Sequence, residues 1–270
     1  MACTAIALGA ALSKVEESKL RAREEALRKQ VYLLQNATVR ESRREAVERF
    51  GVGPHHVKFD ISIPGNEEEN LSFTVELAPL HKMPHAVHLF LEQVYHELWD
   101  NTWFYLNGPH VLQAGPQDWD DDEEGKALQR FKDTQLDTLA FPEYSHDYPH
   151  VPWTLGFTGR PGGPDWYINK VDNTAPHGPG GQYQHELSEQ ADPCFAKISD
   201  GHDVLMKVFK MEIYPGSHEY AYFLQEPVEI VKARIVEPAV GNVIKPDNQP
   251  RKKVPKRPRM IHKDSFTAEP

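Results

Sequence analysis

The chain has 270 residues, 39% apolar and 10% aromatic, with a formal net charge of −10. That length allows one domain of roughly 180 residues plus tails, the apolar share excludes a wholly disordered polymer, and the acidic balance argues against a general nucleic-acid surface. Charge is unevenly placed: from Ile244 onward eight Lys/Arg face three Asp/Glu, a local +5 that leaves about −15 on the rest.

Residues 1–12 open with an apolar run of eleven, ACTAIALGAAL, ending on small residues. It is like the apolar region of a signal peptide without its basic leader, or the last turns of a membrane anchor. No run of eighteen apolar residues exists, so no complete helical membrane span is read from the sequence. The sequons Asn36-Ala-Thr and Asn70-Leu-Ser permit a secretory route. The compartment stays open between a secretory or membrane-anchored lumenal location and a cytoplasmic or nuclear one.

Residues 13–51 read as a charged helical stem, free of Pro and of Gly until Gly51. Leu20, Leu27 and Leu34 recur every seven residues with Val31 between, a short coiled-coil-like pattern that would suit a partner helix. The other reading is a solvated helix leaning on the body by one narrow stripe. Gly51-Val-Gly-Pro ends it.

Val57, Phe59, Ile61 and Ile63 alternate with polar residues, and so do Leu71, Phe73, Val75 and Leu77. Two such runs around Pro64-Gly65-Asn66 predict a β-hairpin. Met83-Pro84 opens a helix with Pro where its missing N–H costs little; Val87, Phe90, Leu91, Val94 and Leu98 form its stripe, and Asp100-Asn101 ends it. Strands follow at Thr102–Leu106 and Val111–Gly115, then an acidic loop from Asp118 to Glu124. Further strands are predicted at Thr154–Phe157, Asp165–Asn169 and Cys194–Ile198. Asp200-Gly-His makes a turn, Val204–Phe209 a short helix, and Glu229–Val236 the last strand. About eight short strands and two helices suit a closed antiparallel barrel. From Gly241 the chain is Pro- and Lys/Arg-rich, a disordered basic tail over 241–270 that would contact an acidic partner.

Several strings in this order resemble the cyclophilin family over residues 55–237. The helix beginning Met83-Pro-His-Ala-Val is similar to the family's AP-x-T-V-x-N-F. Phe104-Tyr-Leu-Asn-Gly-Pro-His-Val-Leu-Gln-Ala-Gly resembles F-H-R…F-M-x-Q-G-G. Leu155-Gly-Phe-Thr-Gly-Arg-Pro-Gly-Gly-Pro-Asp-Trp-Tyr-Ile resembles L-S-M-A-N…N-G-S-Q-F-F-I, and Phe195-Ala-Lys-Ile-Ser-Asp-Gly resembles F-G-K-V-x-x-G. The resemblance implies a mainly β fold, a closed eight-stranded antiparallel barrel capped by two helices. It also implies cis–trans isomerisation of X–Pro bonds, a reaction with a resonance barrier that needs no cofactor, metal or nucleophile.

Carried over by position, the catalytic Arg of the family falls on Leu106, which has no donor, and a catalytic Gln is kept as Gln113. Substrate-binding positions fall on His110 and Val111 (the pocket Phe and Met), Thr158 and Gly159 (Ala-Asn), Asp165 (Gln) and Tyr167 (pocket Phe). The late Trp and His fall near Leu187 and Asp192. Loss of one transition-state donor costs about 3–4 kcal/mol, or 10²–10³ in rate. The resemblance therefore implies either an isomerase of weakened activity or a non-catalytic module holding a proline-containing segment or scaffolding an assembly.

Other groups read more blandly. Arg160 is expected as a solvated loop arginine, or as a substitute for the missing Arg. The triplet His81/His85/His88 and the pair His146/His150 have ligand-like spacing without an HExxH string or Cys pair, so surface histidines are expected and no metal. Gly159-Arg-Pro-Gly-Gly-Pro and His177-Gly-Pro-Gly-Gly-Gln are expected as turns. Cys3 and Cys194 make no disulfide framework, and Cys194 is expected as a buried thiol.

Overall fold

A computed structural model describes residues 2–66, 71–117, 125–183, 190–214 and 222–236, with side chains from residue 14 onward. The acidic tip 118–124, Asn70, Leu187 and the basic tail lie outside the described residues, as do the side chains of the apolar N-terminus. Eight strands close into an antiparallel barrel: β1 (His56–Ser62), β2 (Leu71–Leu77), β3 (Thr102–Asn107), β4 (Val111–Gly115), β5 (Thr154–Phe157), β6 (Trp166–Asn169), β7 (Cys194–Asp200) and β8 (Phe223–Val236). Their order around the barrel is β1-β2-β7-β5-β6-β4-β3-β8. The predicted closed mainly-β architecture is therefore observed.

Period-2 alternation decides what lies inside. Val57, Phe59 and Ile61 of β1 and Phe73, Val75 and Leu77 of β2 are buried. On the next strands Leu112, Ala114, Leu155, Phe157, Trp166 and Ile168 complete the lining. The aromatic rings pack edge-on and offset; Phe157 stacks on Phe195 at 4.3 Å and Phe59 on Phe73 at 4.9 Å. Trp166 stands edge-on to Phe104 at 5.4 Å, which gives its indole an aromatic face rather than a polar partner. The last strand begins six residues before its predicted start. Its first half pairs with β3 and its second half with β1, so Phe223–Val228 follow no single alternating pattern that would mark them as strand.

Helix α2 (Pro84–Tyr95) closes one end of the barrel, with Phe90 against Trp166 and Phe195. It stops at Tyr95, and 96–100 are turn rather than helix. Helix α3 (Lys126–Thr134) follows the acidic tip and was not predicted. Six of its nine residues are polar, and only Ala127 and Phe131 are buried, with Phe131 5.1 Å from Trp99. Two further helices, α4 (Thr174–His177) and α5 (His202–Phe209), follow β6 and β7.

The N-terminal helix α1 (Ala2–Phe50) is longer than the predicted stem, since the apolar opening and the charged segment are one helix. Among the described residues no helix is long and apolar enough to cross a membrane. Its last turns lie on α2: Ser42 and Ala46 are buried and Val39 and Phe50 half-buried. Ser42 Oγ is 3.1 Å from His85 Nδ1, and Arg49 pairs with the buried Glu92. Leu20, Leu27 and Leu34 are 66%, 52% and 68% exposed and play no part in this docking.

Candidate functional site

Where β5, β6 and β4 lie side by side, Gly156, Tyr167 and Gln113 are cross-strand partners in one row. Their sequence neighbours line the barrel interior, so this row faces outward. Leu106 of β3 lies opposite Gln113. The structure thus brings together Leu106, Gln113, Tyr167 and, just before β6, Asp165.

Two polar networks fill this face. The first is centred on Asp165. A register shift between Phe104 and Leu106 accompanies the inclusion of Tyr105, whose hydroxyl donates to Asp165 Oδ2 at 2.5 Å. Gln113 donates to the same carboxylate oxygen at 3.1 Å and to the Tyr105 hydroxyl. Burial pushes the Asp165 carboxyl up, and the Tyr105 and Gln113 hydrogen bonds only partly offset it. Burial, then the Asp165 charge, raises Tyr105 far above the usual phenol range. Gly115 is required here, since an added Cβ would lie 2.5 Å from the Asp165 carboxylate. Tyr105 is one of the residues that sequence reading missed, because its role depends on a carboxylate sixty residues away.

The second network is centred on Asp192. Its carboxylate accepts from Arg160 Nε at 3.0 Å, His177 Nδ1 at 2.7 Å, Gln182 Nε2 at 3.0 Å and the Tyr167 hydroxyl at 3.1 Å. The side chains of Arg160 and Asp192 are 1% and 2% exposed. Arg160 also donates to the carbonyls of Gly181 and Gly178, tying the 177–182 turn to the barrel. Burial alone would raise the Asp192 carboxyl, but His177 and Arg160 together hold it below the usual range. His150 Nε2 donates to the Asp192 carbonyl at 2.9 Å, so its Nδ1, 3.3 Å from the Tyr167 hydroxyl, is the unprotonated nitrogen of the neutral ring. Burial lowers His150 to about 4, which keeps it neutral.

Tyr167 is only 2% exposed; burial and then Asp192 push its phenol well above the usual value. At the position that the cyclophilin resemblance assigns to an apolar pocket wall stands a buried, fully engaged phenol. Arg160 is neither a solvated loop arginine nor a free donor; the nearby buried carboxylate explains why. The histidine expectation also needs correction: His150, His55 and His85 are inside or nearly so, because each has a hydrogen-bond partner that repays its burial. The turn expectation for 177–182 omitted His177 and Gln182, whose roles depend on a carboxylate fifteen and ten residues away.

The remaining assigned positions contribute less. His110 is exposed, with its ring 5.9 Å from that of His177. Val111 is buried at the head of β4. Thr158 and Gly159 start the turn between β5 and β6, where Thr158 N donates to Asp165 O and Gly159 is left-handed. Among the described residues no cluster of three or more ligating side chains is placed to hold a metal. Cys194 is buried, as expected.

No family model and no curated protein matches the chain. Among solved structures it is similar to a cyclophilin-type peptidyl-prolyl cis-trans isomerase from Cryptosporidium parvum, with 13% identity and a TM-score of 0.47 over 68% of this chain and 98% of that one. The structure of that isomerase in the presence of the dipeptide Ala-Pro gives the same identity and TM-score over 99% of its chain. The barrel assignment itself rests on the strand pairing described above.

Proposed function

We propose that this chain is a cyclophilin-like module that has given up efficient prolyl isomerisation and serves as a binding or scaffold protein. The observation that carries this reading is Tyr167: its hydroxyl donates to Asp192, with the His177 and His150 rings packed beside it, where the resemblance would need open apolar space for a proline ring. Two features of the neighbouring network agree. Leu106 supplies no donor to a twisted amide, and Gln113, the retained family residue, already donates to Asp165. Differential binding of the twisted amide is the whole of such catalysis, so a face that neither admits proline nor presents a cation has lost its means.

The experiment is isomerisation of a short X–Pro peptide by the purified chain. Little or no acceleration over the uncatalysed rate is expected. Activity within about tenfold of an ordinary cyclophilin would overturn the reading, since it would require the two networks to open readily in solution.

A further inference from the structure

Every residue of α1 from 14 to 34 is exposed, its leucines included. We propose that this stretch pairs with the same stretch of a second copy of the chain, as a parallel, in-register, two-stranded coiled coil. The inference goes beyond the reading of the barrel face and does not depend on it.

The spacing names the kind of occupant. Leu20, Leu27 and Leu34 recur every seven residues, and Val31 lies four after Leu27. A seven-residue repeat stays on one side of a helix only when that helix supercoils with another, so the cover is a helix. Among the described residues none of the chain's other helices exceeds 12 residues, whereas the stripe from Leu20 to Leu34 runs about 21 Å. Leucine at one core position with a β-branched residue at the other favours two parallel strands. A second copy presents the identical stripe, and a two-fold axis sets like against like.

The flanks fix direction. Lys14, Arg21 and Arg28 recur along one side of the stripe, and Glu16, Arg23 and Gln30 along the other. Antiparallel helices would bring the cationic side of each against that of the other. Parallel helices join unlike sides, so Glu16 meets Arg21 of the second copy and Gln30 meets its Gln35. Arg23 meets Arg28, but that charge is already compensated by Glu24, as Arg21 is by Glu17. Glu17 and Glu24 themselves take core positions between the leucines. Polar groups there set register and strand number at some loss of affinity, so the association is weak.

The barrel leaves the stripe free. At about 100° per residue, the leucines lie about a quarter turn round α1 from the docked Val39, Ser42, Ala46 and Phe50. A two-fold axis along the coil therefore places the two barrels on opposite sides of it.

The test is sedimentation equilibrium of the full chain from about 1 to 300 µM, with a Kd expected on the order of 10–100 µM. At the sub-micromolar concentrations of an unfolding titration the chain is then monomeric. Leu27→Ser with Leu34→Ser should weaken association about tenfold or more, and Glu24→Val, which fills the seam, should tighten it by about as much. All three positions are exposed, so circular dichroism should show folded chains. Orientation is read by disulfide cross-linking in a Cys3→Ser background, where the remaining Cys194 is buried. Glu24→Cys, on the seam, should cross-link to a dimer under mild oxidation, and Ala22→Cys, on the outer face, should not. A monomer throughout the range, association unmoved by the serine pair, or equal cross-linking at the two positions would each overturn the proposal. The isomerase assay is a separate readout, and its outcome leaves this one standing.

Discussion

A Cβ added to Gly156 would lie 2.6 Å from the Tyr167 hydroxyl and 3.0 Å from His150 Cε1. The glycine is therefore what lets the phenol cross from β6 over β5 to reach Asp192. Any larger residue must push the Tyr167 hydroxyl away from Asp192 and from the two imidazole rings beside it. Gly156→Ala should cost about 1–3 kcal/mol in urea unfolding, as overpacking does. In a Tyr167→Leu background the same change should cost much less, because the clashing ring is gone. A double-mutant cycle measures that difference; simple additivity would mean that Gly156 serves some purpose other than admitting Tyr167. Sequence reading reached Tyr167 and Asp192 by resemblance but not what they do. Their partners, His150, Arg160, His177 and Gln182, are brought in by two turns whose glycines read only as turns. Such a network depends on three-dimensional closure and leaves no periodic trace.

At the scale of elements, α1 and α2 illustrate what periodicity does and does not encode. Leu20, Leu27 and Leu34 give the visible heptad repeat, yet the docked face is Val39, Ser42, Ala46 and Phe50, a shorter stripe at helical spacing interrupted by one polar residue. Replacing all three leucines by serine should leave the unfolding free energy of the chain within about 0.5 kcal/mol, whereas Ala46→Leu should destabilise it by about 1–3 kcal/mol. Comparable losses from both would mean that the leucines are packed. The same junction carries two buried titratable groups shifted in opposite directions. Burial, then His88, lowers His85 to about 4. Burial raises Glu143 to about 7, against the N–H donors of Ala86 and His85 at the start of α2. The folded chain resists a proton on His85, so that group loses stability as pH falls from 6.5 towards 4. It favours a proton on Glu143, so that group gains stability as pH falls from 7 towards 4.5. Each effect amounts to about 3 kcal/mol, and over the shared window they nearly cancel. Glu143→Gln should therefore expose the acid sensitivity of His85, while His85→Gln should make the chain more stable at pH 5 than at pH 7. Thermal unfolding at the two pH values checks this, and parallel pH profiles for both variants would contradict it.

For the whole molecule, the alternation along each strand separates the residues that make the barrel from those that face the candidate site. Inward positions such as Leu112, Phe157, Trp166 and Ile168 are apolar in a period that can be read directly, and they are why strands, order of elements and closure were largely legible. Outward positions such as Leu106, Gln113, Asp165 and Tyr167 are free to change without disturbing that period. This independence allows the same barrel to carry a closed polar network on its outer face. It also bears on what one substitution can restore. Leu106 lies opposite Gln113 in the β3–β4 register, so Leu106→Arg would return a guanidinium to the strand position that the resemblance assigns to it. Its cross-strand partner Gln113 is already joined to the buried Asp165 carboxylate, as is Tyr105, and an arginine beside them would be drawn towards that carboxylate rather than towards a peptide. Tyr167 would still be buried with its hydroxyl on Asp192, at the position where the resemblance puts a pocket wall. Leu106→Arg alone should therefore raise the isomerisation rate of a short X–Pro peptide by less than about tenfold, well below the 10²–10³ that one transition-state donor can supply in an open site. A rise of that full size would show that the face opens to peptide in solution and that the missing arginine alone had silenced it.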